Sequence, residues 1–212
     1  MNQDSFEASS EKGTDAKTVH TYNIGARGYA KKYESMGARR EDVDRGFSFI
    51  NKEVPLVVEL GCGNGREAAV ILEKTDRYIG VDVSQNMIEI AQSNIPGANF
   101  IESDAVNYNF PQNTNIVFAF ASLLHLDRTK MGQLFIKISQ ALSEKGILYV
   151  SLKQNDVYSD EITSDEYGER HFYYYPRETL LEILPEDLKE VYVSKHLHGG
   201  IGWITIVFQK VE

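Results

Sequence analysis

Short, mostly apolar runs alternate along this chain with stretches whose apolar positions recur every three or four residues. Val54 to Leu60 (VPLVVEL) has the length and content of a buried strand. Arg66 to Lys74 has helical spacing, and Tyr78 to Val83 (YIGVDV) is a second buried strand. Gln85 to Asn94 reads as a second helix with Ser84 as its N-cap. A short third strand at Asn99 to Ile101 and a fourth at Asn115 to Ser122 follow. Thr129 to Leu142 is a long amphipathic helix, and Gly146 to Lys153 a fifth strand. Such alternation predicts an α/β, Rossmann-like three-layer sandwich, a mostly parallel sheet between two layers of helices. The ending differs. Val191 to Ser194 and Trp203 to Gln209 are strand-like and flank Gly199-Gly200, which predicts a closing hairpin and an antiparallel last strand. Ahead of the first strand, Thr18 to Asn51 predicts two helices broken near Gly37. Residues 1–16, rich in Ser, Glu, Asp and Lys, are expected to form a disordered tail, leaving 17–212 as one domain with cap helices in 17–51.

Composition narrows the partners. With 212 residues, 42% of them hydrophobic, the chain can close one sizeable core. Its net charge is -9, and Arg39-Arg40 is followed at once by Glu41 and Asp42. A nucleic-acid surface needs a concentrated basic face to displace counterions, so neither nucleic acid nor an anionic membrane is expected as a partner. The one cysteine, Cys62, excludes an internal disulfide. No signal peptide and no run of about 18 apolar residues is legible, so a cytoplasmic location is expected. No metal site is expected, and nothing read here points to an oligomeric state.

The candidate chemistry lies between the first strand and the first helix of the alternating region. Gly61-Cys62-Gly63-Asn64-Gly65 must turn sharply and admit a ligand to the backbone, which glycine permits. The helix that follows offers free N–H groups to an anionic ligand. Asp82 ends the second strand 17 positions after Gly65. That is near the roughly 20-residue spacing at which an acid in this architecture bonds ribose hydroxyls. Alternatively the loop is a tight turn with no ligand and Asp82 a surface acid. A dinucleotide fingerprint would carry its third glycine one position later.

VVELGCGNGREA resembles motif I of the class I S-adenosylmethionine-dependent methyltransferases, and YIGVDVSQNMIEIAQ resembles the strand-two motif of the same family. The resemblance spans roughly residues 20 to 210. It implies a seven-stranded sheet with an antiparallel last strand and S-adenosylmethionine as cofactor. It also implies that the backbone of Gly61, Cys62 and Gly63 lies against the methionine part, that Asp82 holds the ribose, and that Val83 and Met87 flank the adenine. Asp104-Ala105 matches the position of an acid that accepts from the adenine amino group; Asp104 is equally readable as a turn residue. The backbone at Ala119 and Phe120 would receive the cofactor's amino group. Tyr22 to Tyr29 resembles a Tyr-x-x-x-Ala-x-x-Tyr helix that covers the cofactor in small-molecule enzymes of the family, with Tyr22 and Tyr29 over the sulfonium. The alternative is an aromatic face packed on the core. No Asn/Asp-Pro-Pro-aromatic motif is present, which argues against methylation of nucleic-acid amines.

Methyl transfer needs mainly alignment and exclusion of water. His125, just after strand four, is the candidate general base should the acceptor lose a proton; otherwise it packs or caps a helix. SLLHL, LYVSLK and the Gly-x-Arg-x-Phe-x-Tyr-Tyr segment resemble a bacterial small-molecule subgroup, in which Arg170 would bind an anionic acceptor and Tyr174 and Tyr175 would form an aromatic lid. A buried aromatic strand with a solvated arginine is the competing reading. Two other functions stay open: a non-catalytic domain that binds S-adenosylmethionine or a nucleoside, and an NAD-dependent oxidoreductase.

Overall fold

The structure is a computed structural model, and it describes residues 13–211. Its elements run α1 (Ala16–Glu34), α2 (Arg40–Ser48), β1 (Val57–Leu60), α3 (Arg66–Leu72), β2 (Tyr78–Asp82), α4 (Gln85–Asn94), β3 (Asn99–Glu102) and β4 (Thr114–Phe120). There follow a 3-10 turn (Leu123–His125), α5 (Arg128–Ala141), β5 (Leu142–Gln154), β6 (Ser159–Asp165), β7 (Gly168–Tyr174), α6 (Arg177–Glu182), β8 (Leu188–His198) and β9 (Ile201–Lys210).

Seven strands form one sheet in the order β3-β2-β1-β4-β5-β9-β8. β1 to β5 pair in parallel, whereas β9 runs antiparallel to both β5 and β8. The expected Rossmann-like sheet with its antiparallel last strand is therefore present. The central strands bury both faces, which is why they read as unbroken apolar runs. Val57, Ile116 and Phe118 face a core built with α2, α3 and α4, while Val58, Val117 and Ala119 face one built with α5 and α6.

Helix termini follow their local sequence. Asp15 accepts from Thr18 N–H at 3.0 Å to cap α1. Ser84 caps α4 from Met87 N–H at 3.2 Å, and Asp127 caps α5 from Lys130 N–H at 2.9 Å. α1 and α2 are separated at Gly37, whose φ of +70° a side chain would resist.

Three departures from expectation matter. Residues 1–12 of the expected tail lie outside the described residues, but 13–16 are built into the fold. Thr14 N–H donates to Asp104 at 2.6 Å, and Asp15 caps α1. The segment after β5 is a separate antiparallel hairpin, β6–β7, with Asp165 opposite Gly168 at its turn. β6 (SDEITSD) has no apolar periodicity to announce it, because both its faces are largely exposed. Finally, α6 is a single short helix that no sequence signal had marked.

Candidate functional site

The strand order reverses between β1 and β4, and in an open α/β sheet a ligand crevice opens there beyond the strands' carboxyl ends. A cavity of about 590 Å³ occupies that position.

Its floor is the glycine loop. Gly61, Gly63 and Gly65 have φ of +71°, +53° and +79°. At Gly61 a Cβ would stand 2.1 Å from Ser122 Cβ, where β1 and β4 converge. At Gly63 a Cβ would meet nothing within 4 Å, so the missing side chain leaves the loop backbone bare at the cavity wall. The loop is fastened from β2: Gly61 and Cys62 N–H both donate to Val81 O at 2.7 and 3.1 Å. Gly63 N–H donates to Asp82 Oδ2 and Ser84 N–H to Asp82 Oδ1, each at 2.9 Å. Each carboxylate oxygen thus keeps acceptor capacity for a vicinal diol. Burial pushes the Asp82 carboxyl up, and the backbone N–H donors of Ser84, Gly63 and Val83 oppose that.

The roof is α1. Asn23 ties it to α4 by accepting from Ser84 Oγ at 2.9 Å, while Asn86 Nδ2 donates to Asn23 O at 2.7 Å. The β6–β7 hairpin packs on the other side: Thr21 Oγ1 donates to Glu169 O at 2.7 Å, and His171 N–H donates to Thr18 Oγ1 at 3.0 Å. Tyr29 Oη and Arg170 Nη2 both donate to Asp165 Oδ2, at 2.6 and 2.7 Å. The Arg170 guanidinium also lies over the rings of Tyr29 (4.7 Å) and Phe172 (5.3 Å).

His125 is buried at the inner end of the cavity. Its Nδ1 lies 2.6 Å from His171 O, so in the neutral ring the proton sits on Nδ1. Nε2 is then an acceptor and takes the Tyr22 hydroxyl at 2.9 Å. Burial lowers the imidazole to about 4, the His171 carbonyl resists, and Arg170 and Lys153 add to the lowering. Burial in turn raises the Tyr22 phenol well above its ordinary value.

Residues 57–146 match the methyltransferase domain family. The matched stretch is a little over two-fifths of the chain and takes in the glycine loop, Asp82 and His125. It is 32% identical over 114 residues to the trans-aconitate 2-methyltransferase of Rhizobium etli, a match covering 49% of this chain and 42% of that protein. The Escherichia coli K12 trans-aconitate 2-methyltransferase is 33% identical over 106 residues, covering 49% and 41%. The chain therefore spans about two-fifths of the length of these relatives. Among solved structures, an S-adenosylmethionine-dependent methyltransferase from Clostridium acetobutylicum superposes with a TM-score of 0.71 at 16% identity, over 90% of this chain and 99% of that one. The 1,6-didemethyltoxoflavin-N1-methyltransferase of Burkholderia thailandensis gives 0.70 at 17% identity, over 89% and 85%. At such identities the likeness is one of fold.

The cavity is lined by Tyr22, Gly61, Cys62, Gly63, Asp82, Val83, Met87, Ala105, Phe120, His125 and Arg170, all anticipated from sequence. Five others fall elsewhere. Tyr29 is buried beside the cavity and bonds Asp165. Asp104 is screened from the cavity by Thr14, its oxygens accepting from Thr14 N–H (2.6 Å) and Val106 N–H (2.8 Å). Ala119 sits in the core, and the cavity meets the chain at Phe120, Ala121 and Ser122, where Ala121 has φ +55°. Tyr174 donates to Glu161 at 2.8 Å, and buried Tyr175 donates to Leu126 O at 2.7 Å, so neither forms a lid. Sequence reasoning missed Lys153, Phe172 and Trp203, which form the far wall. A lysine closing an apolar strand at its carboxyl end was the available signal for Lys153. Among the described residues no group of three or more His, Cys, Asp or Glu side chains is arranged to hold a metal ion. No described helix is long and apolar enough to cross a membrane.

Proposed function

We propose that the chain transfers a methyl group from S-adenosylmethionine to a small-molecule acceptor, mainly by alignment and exclusion of water. The observation that carries this is one continuous cavity joining the Gly61–Gly63 and Asp82 floor to a separate wall of Lys153, Phe172 and Trp203. A cofactor and a second molecule can thus share one cavity. When bound, S-adenosylmethionine supplies a methyl group already activated on a sulfonium.

The chain's residues then have distinct tasks. The bare backbone at Gly63 admits the methionine part, and Asp82 receives the ribose hydroxyls. Met87 and Val83 provide apolar contact for the adenine. Use of Asp104 by the adenine amino group requires Thr14 to leave it. Tyr22, held by His125, covers the reacting centre and helps dry it. A histidine lowered to about 4 is a weak proton acceptor near neutrality, which favours His125 as a positioning residue for Tyr22 over general base.

Calorimetry with S-adenosylhomocysteine and with NAD tests the cofactor. Saturable binding of the former is expected, and saturable binding of NAD alone would overturn the proposal. Transfer of labelled methyl from S-adenosylmethionine into a metabolite extract tests the activity, with trans-aconitate as the first purified acceptor to try. Cofactor binding with no transfer to any acceptor would favour a binding domain without turnover.

A further inference from the structure

Lys153 is placed unlike Arg170 and Arg66, which also line the cavity. Arg170 is neutralised by Asp165 at 2.7 Å, and Arg66 by Glu67 at 2.6 Å. Lys153 Nζ instead stands 3.6 Å from the Phe172 ring centroid and 5.5 Å from that of Tyr174. Among the described residues it has no carboxylate at ion-pairing distance. Glu161, which acts on it electrostatically, already accepts the Tyr174 hydroxyl at 2.8 Å. A half-buried ammonium held against aromatic rings without a counterion is costly unless a ligand supplies one.

The sheet register shows what surrounds it. Lys153 lies opposite Trp203 on β9, and Trp203 opposite His196 on β8. Directly opposed residues share a face, so the three form one row across the sheet, and all three line the cavity. The row offers a single cation bordered by flat aromatic surface. A compact monoanion with a planar body matches that. A phosphate monoester carries close to two negative charges near neutrality, more than one ammonium balances, and the guanidinium of Arg170 is already committed to Asp165.

Resting on the proposed methyl-transfer reading, we propose that the acceptor is a small organic carboxylate whose anionic group pairs with Lys153 Nζ while its planar part lies between Phe172 and Trp203. The clamp holds a carboxylate and leaves the attacking atom to be another part of the acceptor or the carboxylate's second oxygen.

Trp203 is the chain's only tryptophan, so its fluorescence reports on this wall alone. The full chain is titrated with benzoate, its neutral isostere benzamide and phenyl phosphate, with and without S-adenosylhomocysteine. Benzoate should change the Trp203 signal saturably and bind at least about tenfold tighter than benzamide. Lys153→Met should remove that preference, and Lys153→Arg should retain most of it. Equal affinity for benzoate and benzamide, no benzoate binding, or an unchanged preference in a folded Lys153→Met protein would overturn the inference. Tighter binding of phenyl phosphate would overturn the carboxylate assignment in favour of a phosphorylated acceptor. Failure of S-adenosylhomocysteine to bind would count against methyl transfer alone, because the benzoate titration does not need it.

Discussion

The Tyr22 hydroxyl donates to His125 Nε2 across 2.9 Å, and this one bond joins the roof of the cavity to its inner wall. The two residues are 103 positions apart in the chain. The bond exists because the His171 carbonyl holds the proton on Nδ1 and leaves Nε2 as acceptor.

The pair should couple energetically. Tyr22→Phe leaves a buried Nε2 without its donor and should cost about 1–2 kcal/mol of stability. His125→Phe removes the acceptor. A double-mutant cycle on unfolding free energies should show coupling of about 1 kcal/mol, and additive losses would mean the hydroxyl is bonded elsewhere.

Stability should fall as the solution is acidified through the histidine range. His125 titrates near its ordinary 6.5 when unfolded and at about 4 when folded. Between those values the unfolded chain binds the extra proton, so stability rises with pH there and is lost as pH drops from 6.5 toward 4. The slope from this group approaches about 1.4 kcal/mol per pH unit in mid-window. His125→Asn does not titrate. Denaturant unfolding at pH 7 and pH 4.5 should therefore show a smaller acid loss in the variant than in the wild type.

Asp82 should matter twice, to the ligand and to the loop. Asp82→Ala removes the acceptor for Gly63 and Ser84 N–H as well as the expected ribose partner. Charge-assisted bonds are worth roughly 1.5–3 kcal/mol each, so S-adenosylhomocysteine affinity should drop at least about tenfold. Calorimetry on a variant that still unfolds cooperatively checks this. Unchanged affinity would leave Asp82 as a loop fastener only.

Gly25→Ala should reverse the usual effect of that change in a helix. Alanine ordinarily stabilises a helix interior by about 1 kcal/mol relative to glycine. Here its Cβ would stand 2.6 Å from Tyr167 Cγ and 2.7 Å from Tyr29 Cε2, where the β6–β7 hairpin presses on α1. The variant should be destabilised, with faster hydrogen exchange in both α1 and β7. In the wild type, amides from about Thr21 to Tyr33 should slow on addition of S-adenosylhomocysteine. Equal protection with and without the ligand would show α1 to be a fixed wall and not a lid.

What the sequence determined by itself is the sheet and the floor of the cavity. Strands buried on both faces leave apolar runs that need no partner to be recognised, and Gly61, Gly63 and Asp82 are tied to one local strand–turn–helix geometry and its neighbour. Only the tertiary structure decided the opposite wall. The β6–β7 hairpin is too polar to signal itself, and Tyr29 meets Asp165 across 136 positions. It also decided which charge is free. Arg170 and Lys153 look alike as isolated cations, but folding gives Arg170 a carboxylate and gives Lys153 aromatic rings. Pairing of charges depends on distance in space, and a linear sequence carries no measure of it.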